Sequence, residues 1–186
     1  MSALGERIAG LSDRLYDRMR HRDAFAAAHS LPTAQGFDTL RGRKYCLLVT
    51  FRRSGEPVPT PVWFGLDGEG RLYVRTGADA AKVKRIRANA RVLAAPANAR
   101  GRPTGPLAEG AARILPAEEW QRAERALRSS YGLGRRLYVA TFGRTGEELS
   151  YLEISPASPP ARGAANDRAT DAHAADVTAP QQGGVQ

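Results

Sequence analysis

The sequence predicts a mainly β domain of α+β type, with helices inserted between antiparallel strands. Three observations carry this. Short apolar runs such as Tyr45-Cys46-Leu47-Leu48-Val49 recur between polar turn signals. Asp67-Gly68-Glu69-Gly70 is a hairpin signal joining two of these runs. Helical spacing occurs in separate segments that lie before or between the runs.

Strands are expected at 45–52, 57–66, 70–76, 91–96, 107–115 and 148–155. The second carries Pro59 and Pro61, which cannot donate ladder hydrogen bonds, so it has an unpaired edge or a bulge there. Exposed backbone beside Thr60 and Trp63 is a place where a flat ring can lie and accept hydrogen bonds. Leu4, Ile8, Leu11, Leu15 and Met19 recur at steps of four and three, predicting an amphipathic helix from near Ser2 to about His29. Asp79 stands where it would cap a helix from Ala80 to about Asn89. In that helix Val83, Ile86 and Ala90 form an inward stripe, and Lys82, Arg85 and Asn89 line another face. Pro116 and the acids Glu118 and Glu119 open a further helix, to about Ser130, with negative charge at its positive end. Gly132 and Gly134 break it, and a short helix is expected from Arg135 to Phe142. The organisation is a helix and connecting loop over 1–39, the β domain over 40–156, and a tail over 157–186 without apolar periodicity, expected to be disordered.

At 186 residues a single domain can bury a core without disulfides or metal. The lone cysteine, Cys46, lies within an apolar run and reads as a small core residue, which fits a reducing compartment. No apolar run approaches the length of a bilayer span, and charges interrupt the first twenty residues, so the expected location is cytoplasmic, away from membranes. The formal net charge of +9 attracts anions in general, although an arginine- and alanine-rich composition also produces such a balance without a functional cause. Single-strand nucleic-acid binders interleave aromatic and basic residues on one strand face. Here Trp63 and Phe64 are adjacent, hence on opposite faces, and the basic residues gather on a helix and a loop. Nucleic acid therefore ranks last among the partners.

Familiar catalytic sets are missing. His21, His29 and His173 are isolated, no Cys/His spacing suits zinc, and no nucleophile elbow, Walker loop or Rossmann fingerprint occurs. An enzyme of this composition leaves the difficult chemistry to a cofactor, and hydride transfer fits the shortage of nucleophiles. Thr76 and Lys82 are the candidates for a phosphate, because a turn delivers the hydroxyl toward a helix N-terminus where Lys82 adds a full charge. Arg75 stands beside Thr76, while Lys84 and Arg85 extend the basic helix. Arg100 and Arg102 sit on an exposed Gly/Pro loop, Ala97 to Pro106.

The ordered set of segments resembles the pyridoxamine 5'-phosphate oxidase-like split β-barrel superfamily. The segments are Leu47 to Gly55, Pro59-Thr60-Pro61-Val62-Trp63-Phe64 and Lys82-Val83-Lys84-Arg85-Ile86-Arg87. With Ala95 to Gly101 and Tyr151 to Pro156, they resemble more narrowly its branch of deazaflavin (coenzyme F420)-dependent oxidoreductases. Ala97 departs from the cysteine many relatives carry there. The resemblance spans about Leu40 to Pro156 and implies a six-stranded antiparallel split β-barrel of the FMN-binding type. It also implies a homodimer with the cofactor between subunits. The implied cofactor-binding set is Thr50, Pro59, Thr60, Pro61, Val62, Trp63, Arg75, Thr76, Lys82, Lys84, Arg85, Asn98 and Arg100. In it Thr60 and the Val62 backbone bond the ring, Trp63 walls it, and Arg100 and Arg102 meet the cofactor tail or close over substrate. The preferred reading is a coenzyme F420-dependent reductase of a small organic substrate. FMN in the same fold and a non-catalytic deazaflavin carrier stay open, and so does the proton donor, for which Tyr131 and Tyr138 are candidates.

Overall fold

Seven strands form one antiparallel sheet in a computed structural model that describes residues 22–131 and 148–157. In chain order they are β1 (Tyr45–Phe51), β2 (Pro57–Trp63), β3 (Gly65–Leu66), β4 (Leu72–Gly77), β5 (Arg91–Ala97), β6 (Ala108–Ile114) and β7 (Leu149–Pro156). Three α-helices are interspersed: α1 (Arg22–Ala28), α2 (Ala81–Ala88) and α3 (Trp120–Tyr131). The short helix expected at 135–142, most of the N-terminal helix, the C-terminal tail and Tyr138 lie outside the described residues. Among the described residues no helix is long and apolar enough to cross a membrane.

The sheet order is β2-β1-β5-β6-β7-β4-β3. Its two end strands are consecutive in the chain, with only Phe64 between them. The stretch expected as one strand over 57–66 thus pairs first with β1 and then with β4, and its continuity closes the sheet into a barrel. Six strands were expected and seven are present because this one bends at Phe64. The closure is incomplete. β2 pairs only with β1, and β4 meets this stretch only at Gly65↔Tyr73 and Leu66↔Leu72. Beyond Tyr73 the two strands run near each other without pairing, which leaves the barrel split between them.

Prolines set the register. In an antiparallel pair, opposed residues alternate between those that exchange both backbone hydrogen bonds and those that exchange none. Pro59 opposes Val49 and Pro61 opposes Leu47, so these pairs are non-bonded, and Cys46↔Val62, Leu48↔Thr60 and Thr50↔Val58 carry the ladder. On the other side of β1, Pro96 opposes Cys46, so the odd-numbered β1 residues bond to β5. The two assignments agree, since each β1 residue serves one neighbour.

Alternation along the strands sorts the apolar side chains into three clusters. Cys46, Leu48, Val62, Leu72, Val74, Val92, Ala94, Leu152 and Ile154 fill the barrel, and α2 plugs one end with Val83 and Ile86. On the outer face Leu47, Val49, Phe51, Leu93 and Ala95 are covered by Ala24 and Ala28 of α1. Elsewhere on the outer face Tyr73 and Tyr151 pack with Leu115, Ala123, Ala126 and Leu127 at α3.

The α2 start departs from expectation. Its N-cap is Ala80, with no side-chain cap, and Asp79 is exposed. The backbone makes the turn instead, with the Ala78 N–H donating to Glu148 O and the Ala80 N–H to Gly77 O. The expected hairpin holds: Asp67 Oδ1 accepts from the Glu69 and Arg71 N–H groups, each at 2.9 Å, and Gly70 takes φ +76°.

Gly65 has a different reason to be glycine. A Cβ there would overlap the backbone of Ala126 and Leu127 in α3, which no side-chain rotation relieves. Gly65→Ala is expected to lower stability by about 1–3 kcal/mol or more, because a well-packed contact must separate. Urea unfolding of the two proteins checks this, with Gly68→Ala, in open space, as the neutral control.

Candidate cofactor site at the split of the barrel

The site begins with the side chains that alternation turns into the barrel. Thr50 follows Cys46 and Leu48 on the inner face of β1, and Thr76 follows Leu72 and Val74 on the inner face of β4. Both stand near the end that α2 plugs. Thr50 is fully buried, and its Oγ1 accepts from Arg85 Nε at 2.7 Å while lying 3.5 Å from Val58 O. Thr76 Oγ1 accepts from Lys82 Nζ at 2.9 Å. Lys82 and Arg85 are three residues apart on α2, so their side chains are neighbours. Two cations and two threonine hydroxyls are therefore brought together beside the split, an arrangement able to hold a phosphate. Lys84 is exposed on α2, away from the stripe formed by Val83 and Ile86.

Arg75 does not join them. It follows Tyr73 on the outer face of β4 and lies directly across from Tyr151. Neighbouring residues of a strand point to opposite faces, so adjacency to Thr76 in sequence separates the two side chains in space. Near Tyr151 a cavity of about 380 Å³ is lined by Trp120, Gln121, Glu124, Arg125, Arg128 and Tyr151 itself.

The β2 residues divide in the same way. Thr60 shares the inner face with Val62, and Pro59, Pro61 and Trp63 share the outer one. The Val62 backbone is taken up by the ladder to Cys46, so it does not face the split. Trp63 packs edge-on to Tyr45, with ring centroids 5.6 Å apart at 86°. Tyr45 escaped the sequence reading because its place opposite Trp63 follows from register, which no local pattern displays.

Asn98 and Arg100 lie on a built turn. Asn98 Oδ1 accepts from the Arg100 and Arg102 N–H groups, each at 3.0 Å, and Gly101 takes φ +79°. A Cβ on Gly101 would lie 3.4 Å from Leu47 Cδ1 and 3.5 Å from Pro61 Cδ, so this turn rests on the outer face of β1 and β2. Arg100 is exposed there, and Arg102 pairs with Asp23 of α1 at 3.3 Å. Cys46 is enclosed in the barrel, and burial pushes its thiol up to about 12, so it offers no thiolate nucleophile at neutral pH.

The pyridoxamine 5'-phosphate oxidase family model matches residues 33–157. The chain belongs to that family. No curated protein matches the sequence. Among solved structures, this family member resembles a conserved hypothetical protein of Mycobacterium tuberculosis at 16% identity and TM-score 0.50, covering 81% of this chain and 99% of that one. It also resembles an F420 reductase at 22% identity and TM-score 0.45, covering 68% and 97%. A protein of unknown function from Agrobacterium tumefaciens matches at 15% identity and TM-score 0.46, covering 61% of this chain and 48% of its own length. At such identities the likeness concerns the fold alone.

A polar row ties this family fold to α3. Arg113, Glu153 and Tyr73 lie side by side across β6, β7 and β4, and Gly65 continues the row in β3. Arg113 Nε donates to Glu153 Oε1 at 2.7 Å, and its two Nη groups grip Glu119. Tyr73 Oη has one proton to share between Glu153 Oε2 at 3.0 Å and Asp67 Oδ2 at 3.1 Å. Burial first, then these two carboxylates, push the Tyr73 hydroxyl well above the ordinary tyrosine range. Its folded form keeps a proton that the unfolded chain releases near pH 10, so the stability it contributes is complete below pH 10 and is lost as pH rises further. Unfolding free energies from urea titrations at pH 8 to 11 are expected to fall above pH 10, by up to about 1.4 kcal/mol per pH unit for this group. Tyr73→Phe is expected to cost about 1.5–3 kcal/mol at pH 7 and to flatten the alkaline decline.

Proposed function

We propose that the protein is a deazaflavin (coenzyme F420)-dependent oxidoreductase that transfers a hydride from the reduced cofactor to a small organic substrate. The observation that carries this is the convergence of Lys82 and Arg85 on Thr76 and Thr50 beside the split. These residues fit the phosphate of a ring cofactor, with the ring lying farther along the split toward Trp63. Bound there in its reduced form, a deazaflavin supplies hydride. The chain's own groups hold the phosphate, orient the ring along β2 and keep water from the reacting face. The reading includes a homodimer whose second subunit completes the cofactor groove.

Anaerobic titration of the full-length protein with coenzyme F420, and separately with FMN, tests this through quenching of tryptophan fluorescence. F420 is expected to bind at micromolar concentration or tighter, with FMN much weaker. Lys82→Ala is expected to weaken F420 by about tenfold or more, the loss of one charge-assisted contact of about 1.5–3 kcal/mol. Preference for FMN moves the assignment to a flavin enzyme of the same fold. Binding without turnover of any unsaturated substrate in a panel makes the protein a carrier.

A further inference from the structure

We infer that the outer edge of β2 recognises its ligand by accepting hydrogen bonds, with the Pro61 carbonyl as principal acceptor. This rests on the cofactor reading above and assigns the polarity of the ring contact. Backbone parity supplies the argument. In a strand the N–H and C=O of one residue point to the same side, and successive residues alternate sides. Thr60 and Val62 are committed to β1, so the groups turned away from it, toward the split, belong to Pro59, Pro61 and, at the bend, Trp63. Proline has a carbonyl and no N–H. An ordinary strand edge offers donors and acceptors in turn, whereas Pro59 and Pro61 offer acceptors only, and the next N–H on this side belongs to Trp63.

Pro61 is half-buried and Pro59 is buried, with α1 packed against β2. Pro61 is thus the more accessible residue of the two. Gly101 rests against the Pro61 ring on the outer face, which leaves the carbonyl direction, in the plane of the sheet, toward β4. A ring that lies here must bring an N–H. Flavins and deazaflavins carry one in the imide of their pyrimidine ring, at N3. The two flanking imide carbonyls find no donor from Pro59 or Pro61, so at these two residues the strand can only accept. The sequence alone suggested the reverse, a ring that accepts from this strand, since the missing N–H groups can be assigned to an edge only once the register is known.

The test compares coenzyme F420 with its N3-methyl derivative on the full-length protein, by the same fluorescence titration. Methylation removes the donor and is expected to weaken binding by about tenfold or more, as for loss of one buried hydrogen bond. Because a methyl also adds bulk, a second readout follows the N3 proton of ¹⁵N-labelled F420 by NMR. In the complex that proton is expected to move downfield and to exchange with water more slowly than in free F420. Equal affinity for the two ligands, or an N3 proton exchanging as in free F420, overturns the inference and leaves the cofactor assignment standing. Failure of unmodified F420 to bind overturns both.

Discussion

The architecture depends on one bend. Pro57 to Leu66 is a single stretch of chain that changes partner at Phe64, leaving β1 and joining β4. Were it straight, the sheet would be open and β3 would have no strand to pair. Two features hold the bend. Phe64 is buried in the barrel core, and Gly65 lets the backbone of α3 approach the sheet where a side chain would keep it off. The row Arg113, Glu153, Tyr73 then fastens the neighbouring strands beneath the same helix. Arg122 of α3 completes the attachment by reaching Asp67 at 3.4 Å and Glu69 at 3.2 Å. The exposed members of this network contribute little individually. Its weight lies in Tyr73 and Glu153, which are buried and therefore costly to leave unsatisfied.

The split follows from the same bend. Once β2 turns away from β4, both strands have a side without a strand partner, and such edges invite pairing with other chains. Proline answers that problem on β2 by deleting two of the donors an incoming strand would need, at positions 59 and 61. The residues that keep the groove from being filled by another strand are thus the ones that give it a one-sided hydrogen-bonding character. Structural protection and the proposed ligand recognition would then share a single chemical origin.

Much of the fold was legible because it is written in local patterns. The strands fall within a few residues of their expected limits, and the Asp67 turn and the acidic start of the α3 region stand where expected; of the expected inward stripe Val83 and Ile86 are buried, whereas Ala90 is exposed beyond the end of α2. What the sequence hid are relations that depend on register and parity. Arg75 is adjacent to Thr76 in sequence and on the other face in space. Thr50 and Arg85 are 35 residues apart, and their bond emerges only when α2 lies across the barrel end. Asp79 has the composition of a cap, but backbone bonds from Ala78 and Ala80 had already shaped the turn. Asn98 shows a further limit, since a polar residue in a candidate site proved to be building its own loop.

These relations also constrain how any cofactor can lie. Thr60 and Thr76 belong to the inner face, whereas Trp63 and the turn bearing Arg100 belong to the outer face. A ligand touching both sets cannot lie flat on either surface of the sheet. It must pass through the gap between β2 and β4, where the two faces meet along an edge. A long molecule with an anionic group near Lys82 and a planar ring toward Trp63 satisfies that geometry; a compact anion occupies only its inner end. On the proposed reading, in which both residue sets meet one cofactor, their separation across one strand edge requires an extended ligand, whichever ring it carries.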